Sequence, residues 1–397
     1  MTHFIDQADI QRRLSALREL LARRQLDGLL VSQPESRYYL SGYSGKDLPP
    51  RDSAGYLLIT ATTAQLLTDM RTAQQAEQEA PSYEVLQYPA GVRAMELVAR
   101  LAQQHGLRRL AFEAIHLPYR LFTDLRAALD PAIELVPETD LVDELRIVKD
   151  PTELRALRAA IAILDEAFAH LARFIEPGCP EQRLAWELEA YLRTHGAQGV
   201  SFDPITVGGP QAAIPHAVPS ERPLQEGEPI VIDIGARVAY YCSDMTRTVC
   251  IGPVPERLQE IYGIVLEAQL TAEREIRPGM TGREADAIAR EVITRAGYGE
   301  AFGHGLGHGI GLEVHEPPWL SRAKGDIVLR PGMVFSVEPG IYLPGWGGVR
   351  IEDLVLLRED GCEVLSRSPK ACALDEVRQA LDAAGPPLAS PGSIATR

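Results

Sequence analysis

The residues after position 150 repeat a common pattern, and this repeat constrains the fold more than any other feature of the chain. Pro177-Gly178 recurs 101 residues later as Pro278-Gly279, and Gly196 recurs at the same offset as Gly297. The same offset relates three apolar helix positions, Leu157, Leu164 and Ile175, to Leu258, Val265 and Ile276. Chance is the alternative, because Pro-Gly pairs are common after helices. Glycine ends helices readily, so the repeat predicts two α+β halves related by a pseudo-twofold axis.

The first half contains an apolar strand with one acid in it. Asp233 lies within residues 230–235, and Asp244 lies on the expected return strand, residues 240–248. The midpoint between the two acids falls between Val238 and Ala239. We therefore expect the two carboxylates to face each other across an antiparallel pair, with their Cβ atoms roughly 4.5–5.5 Å apart.

The second half has a matching pair of acids. Glu338 ends the apolar run 334–338, and Glu352 follows Val349-Arg350-Ile351. The midpoint between the two acids is Gly345, and the residues around it, Pro344-Gly345-Trp346-Gly347-Gly348, have the composition of a turn. We expect this pair to face each other as well.

Four carboxylates on apolar strands need compensating positive charge, because buried like charges are costly. An arginine or lysine side chain is one source, and Arg350 is close in sequence. Two divalent metal ions explain the whole pattern better, with His308 as a nitrogen ligand. Oxygen-rich ligation with one imidazole suits Mn²⁺ or Co²⁺ at least as well as Zn²⁺. A two-metal site activates water and polarises a carbonyl, which is the chemistry of hydrolysis.

Three of the nine histidines fall in or beside a glycine-rich stretch, residues 303–311. His304 and His308 lie inside it and His315 follows it. Because glycine costs about 1 kcal/mol in a helix, we expect a loop or short strand that presents imidazoles to a small polar site. A flexible loop with solvated histidines is the alternative.

The first part of the chain alternates helical and strand patterns, which predicts an α/β domain. Expected helices cover residues 10–21, 95–105 and 119–129, and expected strands cover 27–31, 55–59, 64–67 and 109–112. Asp150-Pro151 then starts a long amphipathic helix. We therefore expect an N-terminal domain at 1–148, a catalytic domain at 149–375 and, from its linker composition, a flexible tail at 376–397.

Charge and composition exclude several classes of protein. A net charge of −15 argues against a nucleic-acid partner. No run of about 18 apolar residues is present, so we expect no transmembrane helix. The five cysteines form no C-x-x-C pair, which indicates a reducing cytoplasm and no structural zinc site.

At the acids and histidines the chain resembles the pita-bread metallopeptidases, which include prolidase, aminopeptidase P and methionine aminopeptidase. The resemblance covers residues 1 to about 370 and implies an α/β creatinase-like N-terminal domain followed by an α+β pita-bread catalytic domain. The family's metal ligands match five residues here: Asp233, Asp244, His308, Glu338 and Glu352. The expected cofactor is a pair of divalent ions, with Mn²⁺ favoured over Co²⁺ or Zn²⁺.

The resemblance also implies roles for other residues. Glu338 would move the proton of the attacking water, and His315 would stabilise the tetrahedral intermediate. His216 matches a histidine that contacts the substrate at the catalytic centre. His304 and Arg350 match positions that line the proline side of the site.

The expected activity is hydrolysis of Xaa-Pro bonds in proline-containing peptides. The leucine in His304-Gly305-Leu306-Gly307-His308 favours an Xaa-Pro dipeptidase (prolidase), and an Xaa-Pro aminopeptidase acting on longer peptides is the alternative. A non-catalytic binding protein of the same fold is less favoured, because the ligand set is complete. The resemblance further implies a homodimer.

Overall fold

The computed structural model describes residues 5–47 and 52–384, and the chain divides into two compact units, Met1–Arg146 and Ile147–Arg397. Among the described residues, no helix is both long enough and apolar enough to cross a membrane. All five cysteines are free thiols.

The first unit is built on a mixed six-stranded sheet with the order β4-β3-β2-β1-β5-β6. Its strands are β1 (Gly28–Val31), β2 (Tyr56–Thr60), β3 (Ala64–Thr68), β4 (Glu84–Gln87), β5 (Arg109–Glu113) and β6 (Glu134–Glu138). Its helices are α1 (Gln7–Arg23), α2 (Pro34–Ser41), α3 (Ala73–Glu79), α4 (Ala94–Gln104), α5 (Tyr119–Ala128) and α6 (Asp143–Arg146). The predicted helices and strands of this unit are therefore confirmed, and α2, α3, α6, β4 and β6 were not anticipated.

The second unit contains four long helices and several short, mostly antiparallel strands. Its helices are α7 (Pro151–Leu171), α8 (Glu181–Thr194), α9 (Glu256–Glu275), α10 (Gly282–Arg295) and α11 (Leu374–Ala384). The first set of strands is β7 (Gly199–Val200), β8 (Ile205–Gly208), β9 (Ile230–Ile234), β10 (Ala236–Val238), β11 (Tyr241–Cys242) and β12 (Met245–Val249). The second set is β13 (Gly307–Gly309), β14 (Glu316–Leu320), β15 (Val334–Val337), β16 (Gly340–Leu343), β17 (Gly347–Arg350), β18 (Asp353–Arg358) and β19 (Gly361–Val364).

The predicted repeat is present in the second unit. Helices α8 and α10 have the same length, 14 residues, and begin and end 101 positions apart. The equivalent glycines after α8 and α10, Gly196 and Gly297, have φ values of +100° and +92°. This left-handed backbone favours glycine. Each half then supplies a sheet, β12-β9-β8 in the first and β14-β13-β15-β18-β19 in the second.

The hairpin of the first half differs in register from the prediction. Asp233 pairs with Thr246, and Arg237 pairs with Cys242. The tight turn is formed by Ala239 and Tyr240, both with positive φ, which is one residue later than expected. Because a shift of one residue in the turn moves the register by two, Asp244 lies diagonally from Asp233.

The hairpin of the second half matches the prediction. Val337 pairs with Asp353 and Gly340 pairs with Arg350, in one continuous register about Gly345. Glu338 and Glu352 therefore face each other between these two pairs.

The expected flexible tail is wrong in its first nine residues. Residues 374–384 form α11, in which Val377 is fully buried. Arg378 donates hydrogen bonds to the carbonyl oxygens of Ala172 and Ile175, 2.9 and 2.8 Å away. This amphipathic helix docks on the end of α7 despite the linker-like sequence that follows it. Residues 385–397 lie outside the described part of the chain.

Candidate metal centre and active-site cavity

The strands of both halves converge on one cavity of about 1030 Å³ in the second unit. Strand β9 carries Asp233, and β13 carries His308 at its centre. Asp244, Glu338 and Glu352 lie directly beside the ends of β12, β15 and β17–β18. All nine predicted site residues line this cavity: His216, Asp233, Asp244, His304, His308, His315, Glu338, Arg350 and Glu352.

Three of these side chains are arranged as a metal-binding group. Ligand atoms of Asp244, His308 and Glu352 all lie within 4.8 Å of one another, and all three residues are buried. The Nδ1 of His308 lies 3.1 Å from the carbonyl oxygen of Gly309, which accepts its hydrogen. This contact leaves the Nε2 lone pair of His308 for a cation. The same Nε2 lies 3.2 Å from Oε1 of Glu338 and 3.8 Å from Oδ2 of Asp244.

Three carboxylates of the site retain buried oxygens that no described protein atom satisfies. Asp233 Oδ1, Asp244 Oδ1 and Glu352 Oε1 are buried without a hydrogen-bond partner among the described residues. An unsatisfied buried acceptor costs about 1–3 kcal/mol, and more when it is charged. Three such oxygens beside the Nε2 of a buried imidazole are the donor set of a divalent cation site. The residues present therefore fit the expected metal ions.

Electrostatics lead to the same conclusion. Burial raises the pKa of Asp244 and Glu352 well above the usual range, and neighbouring carboxylates add to the effect. Burial also raises the pKa of Asp233, although Arg350 opposes it. Burial acts to raise the pKa of Glu338 too, but the hydrogen bond with His308 outweighs it and brings the pKa to about 2. Protein charges therefore compensate Asp244 and Glu352 only weakly, through Arg350.

Arg350 supplies part of the positive charge, as the alternative had suggested. Its Nη2 donates to Oδ2 of Asp233 at 2.6 Å, and its Nε donates to Oγ1 of Thr246 at 3.0 Å. Thr246 in turn donates to Oε2 of Glu352 at 2.8 Å. One guanidinium does not balance four acids, so Arg350 and metal ions act together and are not exclusive alternatives.

A hydrogen-bonded chain joins Arg350 to His304. Arg350 Nη1 donates to the hydroxyl of Tyr342 at 2.8 Å, and that hydroxyl lies 2.9 Å from His304 Nε2. The Nδ1 of His304 lies 2.8 Å from the carbonyl oxygen of Gly305. Burial lowers the pKa of His304, so its ring is neutral and accepts the Tyr342 hydrogen. Both predicted proline-side residues are thus fixed by Tyr342.

The two remaining histidines lie at the rim. His216 and His315 are solvent-exposed and line the cavity. The ring of His315 is 4.2 Å from the ring of His308, measured between centroids, in an edge-to-face arrangement. The glycine-rich stretch is a loop followed by the short strand β13, as predicted.

Sequence reasoning missed three residues that hold the site together: Thr246, Ser336 and Tyr342. Ser336 donates to Oε1 of Glu338 at 3.0 Å and accepts from the backbone N–H of His308 at 3.0 Å. All three lie within six residues of a predicted ligand or Arg350 on the same strands. Strand alternation alone gave no sign of which neighbour would bond to which acid.

A second charged network lies behind the cavity. Asp353 accepts from Nη2 of Arg247 at 2.7 Å and contacts the ammonium of Lys370. Lys370 also reaches both carboxylate oxygens of Glu273 at 3.1 Å. Arg247 additionally donates to the carbonyl oxygens of Thr246 and Glu352, so this network holds two site strands together.

This network predicts a pH-dependent contribution to stability. Burial, followed by repulsion from Asp353, raises the pKa of Glu273 from its ordinary value of 4.5 to about 7. The folded state therefore binds a proton that the unfolded state releases. Stability should fall as pH rises from about 4.5 to 7, by roughly 3 kcal/mol at most. Glu273→Gln, which mimics the protonated acid, should remove this loss.

Urea unfolding at pH 5, 6, 7 and 8 measures the effect. We expect the variant to be more stable than the unchanged protein at pH 8 and equal to it at pH 5. Parallel pH profiles of stability for the two proteins would contradict the raised pKa of Glu273 in the folded state.

Comparisons with known proteins agree with this geometry. Residues 155–359 match the family model described as metallopeptidase family M24, and residues 13–148 match the creatinase/prolidase N-terminal domain. The solved Xaa-Pro dipeptidase from Bacillus anthracis is 42% identical, with a TM-score of 0.86, over 92% of this chain and 99% of that chain.

Two further relatives are similar over nearly their whole length. An Xaa-Pro dipeptidase of Pyrococcus horikoshii is 35% identical over 89% of this chain and 96% of its own. The solved X-Pro aminopeptidase from Thermotoga maritima MSB8 is 37% identical, with a TM-score of 0.82, over 91% of this chain and 99% of that chain. Together with the buried ligand group, these matches establish that the chain belongs to metallopeptidase family M24 and carries a creatinase/prolidase N-terminal domain.

Proposed function

We propose that this metallopeptidase hydrolyses Xaa-Pro bonds and acts as an Xaa-Pro dipeptidase. Two divalent ions would be held by Asp233, Asp244, His308, Glu338 and Glu352. The observation that carries the proposal is the convergence of buried carboxylates with unsatisfied oxygens on the Nε2 of His308, at one cavity. The preference for proline is supported by the relatives named Xaa-Pro dipeptidase.

When bound, a pair of divalent ions would make water acidic enough to be a nucleophile and would polarise the scissile carbonyl. The protein's own side chains would move the proton. Its neighbours lower the pKa of Glu338, so the group is an ionised carboxylate that can accept a proton from the attacking water. Ser336 and His308 fix the orientation of that carboxylate. Glu338 would then pass the proton to the proline nitrogen as the C–N bond breaks.

His315 is placed to assist as a neutral hydrogen-bond donor. Partial burial, with the neighbouring His308, lowers its pKa to about 4, although one side of the ring stays open to solvent at the rim. The imidazole is therefore uncharged at neutral pH and has one N–H to donate. A donor directed at the developing oxyanion stabilises the transition state.

Substrate recognition must rely on the pyrrolidine ring and on the end charges, since an Xaa-Pro bond is a tertiary amide without an N–H. We assign substrate contacts to His216 at the rim and to the Arg350–Tyr342–His304 chain on the proline side. Apolar cavity walls suit the pyrrolidine ring, and they include Phe202, Ile214 and Val218.

A second activity is favoured by one specific observation. The solved X-Pro aminopeptidase from Thermotoga maritima resembles this chain about as closely as the dipeptidases do. An Xaa-Pro aminopeptidase that acts on longer peptides is therefore the alternative.

Three finer assignments accompany the proposal. Mn²⁺ is the favoured metal, because four carboxylates and one imidazole form an oxygen-dominated donor set. A cytoplasmic location is supported by five free thiols. A homodimer that does not bind nucleic acid is expected from the family resemblance and from the net charge of −15.

The proposal is tested with two peptides and one metal. The enzyme is dialysed against a chelator, Mn²⁺ is returned, and hydrolysis of Ala-Pro and Ala-Pro-Ala is followed. We expect no hydrolysis without metal, and a higher kcat/KM for Ala-Pro when metal is restored. A preference for Ala-Pro-Ala would favour the aminopeptidase, and no hydrolysis of either peptide would favour a binding protein of the same fold.

A further inference from the structure

Two permanently cationic side chains line the cavity, Arg350 and Lys324. The guanidinium of Arg350 is already occupied, because it donates to Asp233, Thr246 and Tyr342. Lys324 makes no ion pair within the described part of the chain, and its side chain is exposed to the cavity. Lys324 is therefore the lining cation that is free to meet an anionic group of a ligand.

The position of Lys324 is set by the sheet that carries the metal-binding group. Trp319, on β14, is the cross-strand partner of His308 on β13. The ammonium of Lys324 lies over the indole of Trp319, 5.1 Å from the ring centroid. Cross-strand partners have Cβ atoms about 4.5–5.5 Å apart, so the indole is a direct neighbour of His308. The ammonium of Lys324 thus lies one side chain away from the candidate metal centre.

The turn that carries Lys324 is also fixed. Its backbone N–H donates to the hydroxyl of Ser321 at 3.1 Å, which closes the turn after β14. Ser321 and Leu320 approach Gly305 so closely that a Cβ there would lie 2.7 Å from the Cβ of Ser321. The turn therefore rests on the loop between His304 and His308, and a glycine is required at position 305 for this approach.

We propose that Lys324 binds the C-terminal carboxylate of the substrate and thereby selects dipeptides that end in proline. The inference rests on the proposed Xaa-Pro hydrolysis and names the group that reads the free end of the substrate. An ammonium has three N–H donors, so Lys324 meets a carboxylate while its stem and charge stay over the face of Trp319. In a longer peptide the same position is a neutral amide, which gains no ionic contact.

The test removes the charge of Lys324 and the charge of the substrate carboxylate separately. The holoenzyme with Mn²⁺ and its Lys324→Gln variant are assayed on Ala-Pro and on Ala-Pro amide, which differ only in the terminal charge. We expect Lys324→Gln to lower kcat/KM for Ala-Pro about tenfold through KM, the size of one charge-assisted contact. The rate on Ala-Pro amide should change less than about twofold, since no ionic contact is lost.

Two variants serve as controls. Arg322→Gln removes the same charge two residues away, from a side chain outside the cavity lining, and should leave both rates unchanged. Lys324→Arg keeps the charge and should retain most of the preference for Ala-Pro.

An equal loss on both substrates would overturn the inference, because it would indicate a general effect on the site. An unchanged rate on Ala-Pro would overturn it as well. In both cases Ala-Pro hydrolysis by the unchanged enzyme would leave the proposed function standing. If the unchanged enzyme cleaved neither substrate, the proposed function would fail first and the inference with it.

Discussion

Replacing Glu338 with glutamine should lower kcat for Ala-Pro by at least about 10³-fold, within the range attributed to one general acid–base group together with its charge. Glutamine has nearly the same shape as glutamate, but it carries no charge and accepts no proton. The hydrogen bond with His308 and the nearby charge of Arg350 lower the pKa of Glu338, so the site favours the ionised form. At Mn²⁺ concentrations that saturate the variant, the loss should appear mainly in kcat, because the substrate-binding residues His304 and Arg350 are untouched.

A fold control accompanies this variant. Glu291→Gln makes the same chemical change on the exposed face of α10 and should leave kcat unchanged. Circular dichroism and the Tm of Glu338→Gln should resemble those of the unchanged protein. Retained turnover in a folded, metal-loaded variant would reject the proton-transfer role of Glu338.

Replacing Asp244 with asparagine should have two opposite effects on stability. In the metal-free protein the Asp244 charge is unfavourable, because burial raises its pKa well above the usual range and Glu352 repels it. Folding therefore favours the protonated form, and stability falls as pH rises above the usual pKa of the acid, about 4. A neutral asparagine removes this loss, so the metal-free variant should melt several degrees higher at pH 7.5.

Adding Mn²⁺ should reverse the order of the two Tm values, so that the unchanged protein melts higher than Asp244→Asn. In the unchanged enzyme Mn²⁺ binds only the folded state and raises the Tm with increasing concentration. In Asp244→Asn one ligand oxygen and one negative charge are gone. Mutation of a residue that only supports a metal ligand lowers metal affinity by up to about 100-fold. Loss of a ligand itself should therefore lower Mn²⁺ affinity by more than that. Hydrolysis of Ala-Pro should fall with it.

Differential scanning fluorimetry across a Mn²⁺ series measures both effects. Asp360→Asn, in the exposed turn between β18 and β19, is the matched control and should respond to Mn²⁺ like the unchanged protein. A lower Tm of metal-free Asp244→Asn, or an undiminished response to Mn²⁺, would contradict the assignment of Asp244 as a ligand.

Much of the fold follows from local signals in the sequence. The long helix α7 starts at Pro151, where Asp150 caps it by accepting from the N–H groups of Thr152 and Glu153. The repeat was visible because helix ends need glycine at fixed places, such as Gly196 and Gly297. Periodicity and helix caps are short-range features, so a single sequence carries them.

Register and docking were harder to predict. The hairpin after β9 turns at Ala239-Tyr240, although neither residue is typical of positive φ. The backbone N–H of Tyr240 donates to Gln198 at 2.7 Å, a contact from a distant segment. Helix α11 forms because Val377 is buried in a hydrophobic cluster that includes residues of α7 and α8, and this burial depends on the tertiary structure. Such contacts leave no local pattern.

The residues of the site also divide into those that local patterns predict and those that depend on tertiary contacts. Spacing placed four acids on paired strands, glycine content placed His308 in a loop or short strand, and the structure brings all five to one cavity. The supporting contacts of Thr246 and Tyr342, and the free ammonium of Lys324, depend on which side chains meet across strands. The sequence identified the chemistry of the site, and tertiary packing decides how each group is held.

The central claim is that four acids and one imidazole, drawn from two repeated halves, hold a pair of divalent ions. Anomalous diffraction from crystals of the enzyme grown with Mn²⁺, recorded at the manganese absorption edge, tests this most directly. We expect two peaks about 3.5–4 Å apart, enclosed by Asp233, Asp244, His308, Glu338 and Glu352. Peaks at other residues, or full occupancy by Mn²⁺ in a crystal of Asp244→Asn, would contradict it.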